Sequence, residues 1–444
     1  MLPGQEAGKR GQARKAPTLI AGNHRATMFT KAPASWSAPS RLPGPGIIRS
    51  GGVQAPVGCW LLEDCIMNPL SEANGAFAIR LLKLLGQEDP ARNVFFSPVS
   101  ISSALGMVLL GAKGSTAAQI AEVLLALNAE DDIHSGFQSL LTQVHRPGAL
   151  HSLCIANRLF GEESYKFLSS FQESCLKFYQ AELEQLSFVK DPKKSRKHIN
   201  AWVSKKTGGK IEKLLARNSI DKACRLVLIN AVYFKGWWEK PFVKSITREM
   251  PFKINQKEQR LVQMMFRRDT LPWSRVSEEG VQVLELPYQG QELSMVVVLP
   301  DEGVDLSTVE KALTFEKFQT WTSPEHMKRT EVRVSFPRFK LQENYAMDSV
   351  LQSLGVLDVF DQDKADLSGM SADSELYLSK FVHKSVVEVS EEGTEAAAAV
   401  AGYIVFGSRC RFSVPLFCAD HPFLFFIKHS RSSSLMFCGR FSSP

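Results

Sequence analysis

The stretch VEVSEEGTEAAAAVAGYIVFGSRCRFSVPLFCADHPF, residues 387–423, carries two opposed signals. Ala396, Ala397, Ala398 and Ala399 form a run of the strongest helix-forming residue. The residues on both sides are β-branched and aromatic, as in strands. Glu391, Glu392, Gly393, Thr394 and Glu395 stand immediately before the alanines. A strand-rich region has no evident use for such a run unless its small side chains serve a purpose of their own.

Around this stretch the chain is that of a soluble globular protein, with 44% hydrophobic and 22% charged residues. Its 444 residues suffice for one large domain or two to three ordinary ones. No run of 18 apolar residues occurs, so no helical membrane span is expected. The net charge of +7 is uneven: residues 1–66 hold eight Lys/Arg against three Asp/Glu. One basic cluster, KDPKKSRKH at residues 190–198, reads as a solvated surface run. A nucleic-acid footprint would need a basic face on the domain as a whole, so no nucleic-acid partner is expected. The cysteines, at 59, 65, 154, 175, 224, 410, 418 and 438, show no CxxC or Cys/His metal spacing. Several sit in apolar runs such as LMFCGRF, where a free thiol acts as a small buried hydrophobe. That usage suits a reducing compartment, and neither a metal site nor a cofactor is expected.

Residues 1–66 are rich in Pro, Gly, Ser, Arg and Ala and lack apolar periodicity until CWLLEDCI. Such a segment reads as a disordered extension. Its arginines permit a transit-peptide reading, but the prolines and glycines oppose the helix that reading requires. Met67 stands as a natural second start, and the pattern changes there. NPLSEANGAFAIRLLKLLG places Leu70, Phe77, Leu81, Leu84 and Leu85 near one helical face. SPVSISSALGMVLLGAKGSTAAQIAEVLL reads as a Ser/Pro-capped helix, a glycine break and a second helix. Strand-like runs follow: RLVLINAVYF, VQVLELPY, LSMVVVLP, EVRVSFPRFKL, KSVVEVS and FLFFIKHS. Helices in the first half and strands in the second predict a single α+β domain over residues 67–444.

No G-x-S-x-G, HExxH or G-x-G-x-x-G motif lies within residues 67–444. GMVLLGAKGS, residues 106–115, echoes a phosphate loop, but Ala112 parts the glycine from Lys113 and apolar side chains fill the turn. Nothing local assembles a catalytic triad, and the chain is not expected to be an enzyme.

Four long stretches, in one order, then carry a family resemblance. They are NVFFSPVSISSALGMVLLGAKGST, LVLINAVYFKGWWEKPF, VHKSVVEVSEEGTEAAAA and ADHPFLFFIKHSRSSSLMFCGRFSSP. With them, residues 67–444 resemble a serpin of the intracellular, ovalbumin-like branch (clade B). The resemblance implies a large α+β domain with three β-sheets, about nine helices and an exposed reactive-centre loop, here about residues 391–415. It also implies a serine protease inhibitor that acts as a suicide substrate. After cleavage, the loop enters the central sheet as a new strand and traps the acyl-enzyme.

On that reading the alanine run has a physical sense. Residues slipping between two existing strands must be small at the leading end. Gly393 allows the hinge to bend, and Thr394 with the four alanines meets little steric resistance. Strand period puts Thr394, Ala396, Ala398, Val400, Gly402 and Ile404 on the core side. Glu395 falls on the opposite face, which spares a buried carboxylate.

The resemblance assigns Ser97, Pro98, Ser100, Asn230 and His383 to a shutter beneath the sheet, and Lys235 and Trp238 to the breach where the loop first enters. Gly439 and Arg440 read as structural. Counting the family's usual 17 residues from Glu391 sets the cut at Gly407–Ser408, yet glycine gives a protease pocket nothing to hold. SRCRFSVP instead resembles the Arg-Cys bait of some branch members, with Pro415 at the matching distance. Arg409–Cys410 is therefore the first choice and a trypsin-like protease the target, since Arg supplies the cation for an acidic pocket. Tyr403, Phe406 and Arg411 stand as other baits. Arg409 implies a loop two residues longer on the hinge side, which leaves a non-inhibitory binding or chaperone-like serpin as the alternative. Cys410 between two arginines is a candidate redox-sensitive thiol. The expected partners are serine proteases held covalently by a monomer, in the cytoplasm and in the nucleus besides, with no membrane partner.

Overall fold

A computed structural model describes residues 69–87, 89, 91–124, 133–144, 151–373, 375–392 and 414–444. The expected extension at 1–66 lies outside them. Among the described residues the helices are α1 Pro69–Gln87, α2 Pro98–Leu109, α3 Gly114–Val123, α4 Ile133–Val144, α5 Ser169–Tyr179, α6 Pro192–Lys206, α7 Leu306–Ala312, α8 Phe315–Trp321 and α9 Met347–Ser353. The strands begin with β1 Val94–Phe96, β2 His151–Glu162, β3 Leu183–Leu186, β4 Leu226–Gly236, β5 Arg248–Lys253, β6 Gln259–Val276 and β7 Val281–Pro287. They continue with β8 Leu293–Pro300, β9 Lys328–Pro337, β10 Phe339–Ala346, β11 Leu378–Val389, β12 Leu416–Cys418, β13 Phe423–His429 and β14 Leu435–Phe441.

Local sequence accounts for many of these boundaries. Ser97 caps α2 by accepting the N–H of Ser100, and Pro98 occupies the first turn, where its missing N–H costs nothing. Eleven of the twelve α2 residues are buried, so this helix runs through the core rather than over it. Asp191 caps α6 through the N–H of Lys194, again followed by proline. The basic cluster falls here, with Lys193, Lys194 and Lys197 exposed on the outer side of α6. The phosphate-loop echo is the turn from α2 to α3, with Gly111 and Gly369 in close backbone contact.

The central sheet has the order β10-β11-β4-β2-β3. β4 is buried over most of its length because both faces are covered. Leu226 and Leu228 share a core with α1 and α2. Val227, Ile229 and Ala231 pack beneath Ile199 and Val203 of α6 and the following Ile211, Leu214 and Leu215. The other strands form one nine-stranded network, so the three expected sheets appear as two hydrogen-bonded units. The cause is the length of β6. Its 18 residues pair with β5 over 259–264, with β9 over 264–273 and with β7 over 273–276, which makes one strand serve two sheets.

Arg440, 1% exposed, closes the far side of the core. Its guanidinium meets Glu310 at 3.1 Å and donates to the carbonyls of Gly86, Asp89 and Arg92. Burial raises the pKa of Glu310, and the neighbouring Arg440 opposes that shift. This near-complete coordination is what makes a buried arginine tolerable.

Candidate functional site

β4 and β11 lie side by side in the central sheet and run parallel, with Leu226 to Phe234 facing Leu378 to Val387. β10 and β2 flank them, each antiparallel to its neighbour. The β4–β11 seam is thus a parallel pair within an otherwise mainly antiparallel array. Parallel pairing is slightly the weaker kind per residue.

Beneath the seam, the N-terminus of α2 meets one rung of the sheet. Tyr345, His383, Asn230 and Asn157 are in register across β10, β11, β4 and β2. The Ser97 N–H donates to His383 Nε2 at 3.3 Å, so that nitrogen carries the lone pair. The proton therefore sits on Nδ1, which donates to Asn230 Oδ1 at 2.5 Å. Asn230 Nδ2 passes the chain on to Ser100, at 2.7 Å to Oγ and 3.1 Å to the carbonyl. Ser97 Oγ donates to the Met436 carbonyl at 2.8 Å. Burial pushes the His383 pKa down to about 3, so the ring is neutral and can hold this tautomer. The network ties α2 to both strands of the seam. Ser97, Pro98, Ser100, Asn230 and His383 are all brought together here.

Sequence reading missed two further members. The Tyr345 ring lies nearly parallel to His383, 6.3 Å between centroids, and its hydroxyl accepts the Phe95 N–H at 3.2 Å. Ser385 Oγ donates to the Phe95 carbonyl at 2.6 Å. Strand alternation from His383 could have found Ser385. No local signal pointed to Tyr345.

At the upper end of the seam, β11 runs out at Val389 against the segment after β4. The Trp238 indole N–H donates to the Ser390 carbonyl at 2.9 Å. The Phe242 N–H donates to the Glu391 carbonyl at 2.8 Å, and the Trp238 ring stacks on Tyr288 at 4.6 Å. Lys235 and Lys340 both approach the Glu388 carboxylate, at 3.7 and 2.6 Å. Glu391 is 4% exposed, with its carboxylate 3.8 Å from Arg338. Glu392 faces Lys244 at 3.8 Å. Lys235, Trp238, Glu391 and Glu392 are therefore brought together at this end of the seam.

Gly393, Thr394, Glu395, Ala396, Ala397, Ala398 and Ala399 lie outside the described residues, as do Gly407, Ser408, Arg409 and Cys410. The chain is described again from Val414, and the Pro415 carbonyl accepts the Arg333 N–H at 2.9 Å as β12 joins β9. Among the described residues Cys154, Cys175, Cys224, Cys418 and Cys438 are free thiols. Burial drives Cys175 up to about 12. None of the described helices is long and apolar enough to cross a membrane.

Comparison with known proteins bears on the whole of this region. A family model described as serpin (serine protease inhibitor) matches residues 72–444. Serpin B9 of Homo sapiens is 63% identical over 378 residues, covering 85% of this chain and all of that protein. Serpin B8 of Bos taurus is 56% identical over the same length and coverage. The crystal structure of uncleaved ovalbumin superposes with a TM-score of 0.80 at 35% identity, over 85% of this chain and all of ovalbumin.

Proposed function

The chain belongs to the serpin family of serine protease inhibitors, and on that premise we propose that it traps a trypsin-like serine protease as a suicide substrate. The protease serine attacks the Arg409 carbonyl. An ester to Arg409 forms, the peptide bond to Cys410 breaks, and the freed amine of Cys410 takes the proton. Residues from Thr394 onward then insert between β4 and β11, carrying the ester-linked protease with them. Ser97, Ser100, Asn230 and His383 act as the shutter, and Lys235 and Trp238 mark the breach. The inhibitor works as a monomer in the cytoplasm and in the nucleus.

The parallel β4–β11 seam is the single observation that carries this reading. A segment that turns back after β11 runs antiparallel to β11, and hence to β4 as well. Insertion exchanges one parallel pairing for two antiparallel ones. A new strand of about a dozen residues adds roughly ten ladder bonds at about 1 kcal/mol net each. That equals the whole stability of an ordinary domain, roughly 5–15 kcal/mol. The native sheet is then a kinetically held state. With Arg409 as bait, two added residues give about 7 Å of slack at the usual strand rise, which lowers the efficiency of trapping.

Incubation with trypsin, followed by a denaturing gel and mass spectrometry of the released fragment, tests the proposal. The expected result is a covalent complex and a new N-terminus at Cys410. An N-terminus at Ser408 moves the bait to Gly407. Cleavage with neither a complex nor a gain in heat resistance replaces inhibition by a binding role on the same fold.

A further inference from the structure

A row of arginines crosses β6 and β9 beside the point where the chain returns from the proposed bait. Arg268 on β6 is the register partner of Arg333 on β9, and Arg333 is in turn that of Leu416 on β12. Register partners project to one side of a sheet, so these three side chains stand in line. All three are exposed, Leu416 by 52%. β12 ends the strand order, so the line runs to an open edge. Alternation along β9 adds Arg329 to the same face. Arg248 of β5 joins it, with its guanidinium over the Phe266 ring at 4.8 Å.

Two cations directly opposite each other destabilise a sheet. At the register positions of this face the acid is Glu331, and Arg268 takes its carboxylate at 2.9 Å. Among the described residues no carboxylate pairs with Arg248, Arg329 or Arg333. A placement that breaks a local rule without internal compensation points outward, to a partner that supplies the missing charge.

Arg333 also holds the returning chain, its N–H donating to the Pro415 carbonyl at 2.9 Å. The proposed bait bond, Arg409–Cys410, lies five residues before Pro415, at most about 18 Å away along extended chain. A protease domain of about 200 residues has a radius of gyration of about 16 Å, hence a breadth of about 40 Å. The rim of an enzyme seated on that bond therefore reaches the arginine row.

We propose that this face is a docking surface for the target protease and selects enzymes whose rim near the active site is acidic. Leu416 supplies an apolar contact, and Arg248, Arg268, Arg329 and Arg333 beside it meet carboxylates of the enzyme. Arginine is favoured at such contacts because its planar fork binds a carboxylate through two hydrogen bonds. The inference deepens the protease reading and rests on it: the bait sets which bond is cut, and the row sets which enzyme arrives fastest.

Timed formation of the covalent complex with the anionic and cationic forms of trypsin tests it, because both cut after arginine and they differ in surface charge. In about 0.1 M NaCl, where charge acts over about 10 Å, the native chain is expected to trap anionic trypsin about tenfold faster. In about 1 M NaCl the screening length falls to about 3 Å and the preference should vanish. Arg248→Glu combined with Arg333→Glu is expected to slow anionic trypsin about tenfold in low salt and to leave cationic trypsin at least as fast. Arg333→Glu alone sets an acid opposite Arg268, so its melting temperature should equal or exceed the native one; a clear fall would overturn the argument from like charges. Equal, salt-independent rates for the two trypsins, or the same effect of charge reversal on both, overturn the docking surface and leave the protease reading standing. No complex with either trypsin overturns the protease reading, and this inference with it.

Discussion

His383 shows how much a single side chain must satisfy at this site. It accepts from Ser97 and donates to Asn230, so neither a smaller nor a charged group fits its place. His383→Gln is expected to destabilise the native state by about 2–4 kcal/mol, read from the urea midpoint at pH 7.5. The histidine also sets a pH dependence. Its folded pKa of about 3 lies below the unfolded value near 6.5, so between the two the unfolded chain binds more protons. The stability it contributes is present above pH 6.5 and lost as pH falls towards 3, at up to about 1.4 kcal/mol per unit. Comparing urea midpoints at pH 7.5 and 5 should show a steeper loss in the native protein than in His383→Gln; equal slopes would refute the depressed pKa. His421 has the opposite sign. Its Nδ1 faces Asp420 and its Nε2 the Pro300 carbonyl, both at 2.8 Å, so both nitrogens can donate only as imidazolium. Burial works against the charge, but the Asp420 hydrogen bond, the Pro300 carbonyl and the Asp420 charge outweigh it and raise the pKa. The stability from His421 is therefore full below about 6.5 and lost as pH rises through its folded pKa. An NMR titration of the ring should find its midpoint above that of a free histidine.

At the scale of elements, the end of β11 is the part whose attachment matters most. Two main-chain carbonyls there, of Ser390 and Glu391, are held by Trp238 and Phe242. Trp238→Phe keeps an aromatic ring against Tyr288 and removes only the indole N–H. Losing a bond of about 1 kcal/mol should raise local opening about fivefold. Hydrogen exchange of the amides at residues 387–392 should quicken by that factor, with α1 and β13 unchanged. A uniform change across the chain would mean that Trp238 supports the fold rather than this end of the seam. α6 and the strap that follows it cover the opposite face, where the Lys384 ammonium donates to the Lys213 carbonyl at 2.9 Å across the sheet. Opening the seam must also lift this cover.

For the whole molecule, the proposed mechanism requires the cleaved form to be the more stable one. In the native protein, cleavage should yield a species that resists heat well beyond the intact chain, because a strand has been added to the central sheet. Thr394→Arg places a bulky cation at the leading end of that strand, on the core-facing side. Trypsin is then expected to cut the variant at Arg409 without forming a complex, and the species cut at that bond alone should show no gain in melting temperature. Trapping at the native rate by Thr394→Arg would remove the central claim.

Much of this was legible locally. The Ser97–Pro98 helix start and the strand runs that became β4, β7, β8, β11 and β13 each follow from neighbours in the chain. The family resemblance singled out His383 and Asn230 as well. Other features were not legible. EVRVSFPRFKL reads as one strand run, yet it splits at Arg338 into β9 and β10, which belong to different sheets. β6 joins two sheets that were expected to be separate. Tyr345 and Asn157 stand on the His383 rung, and Glu391 is buried beside Arg338, through pairings that span long stretches of chain. Alternation along a strand reports which face is apolar and says nothing of which strand lies alongside. That choice is made only when every apolar face must be covered and every buried polar group paired at once, a condition on the assembled chain rather than on any segment of it.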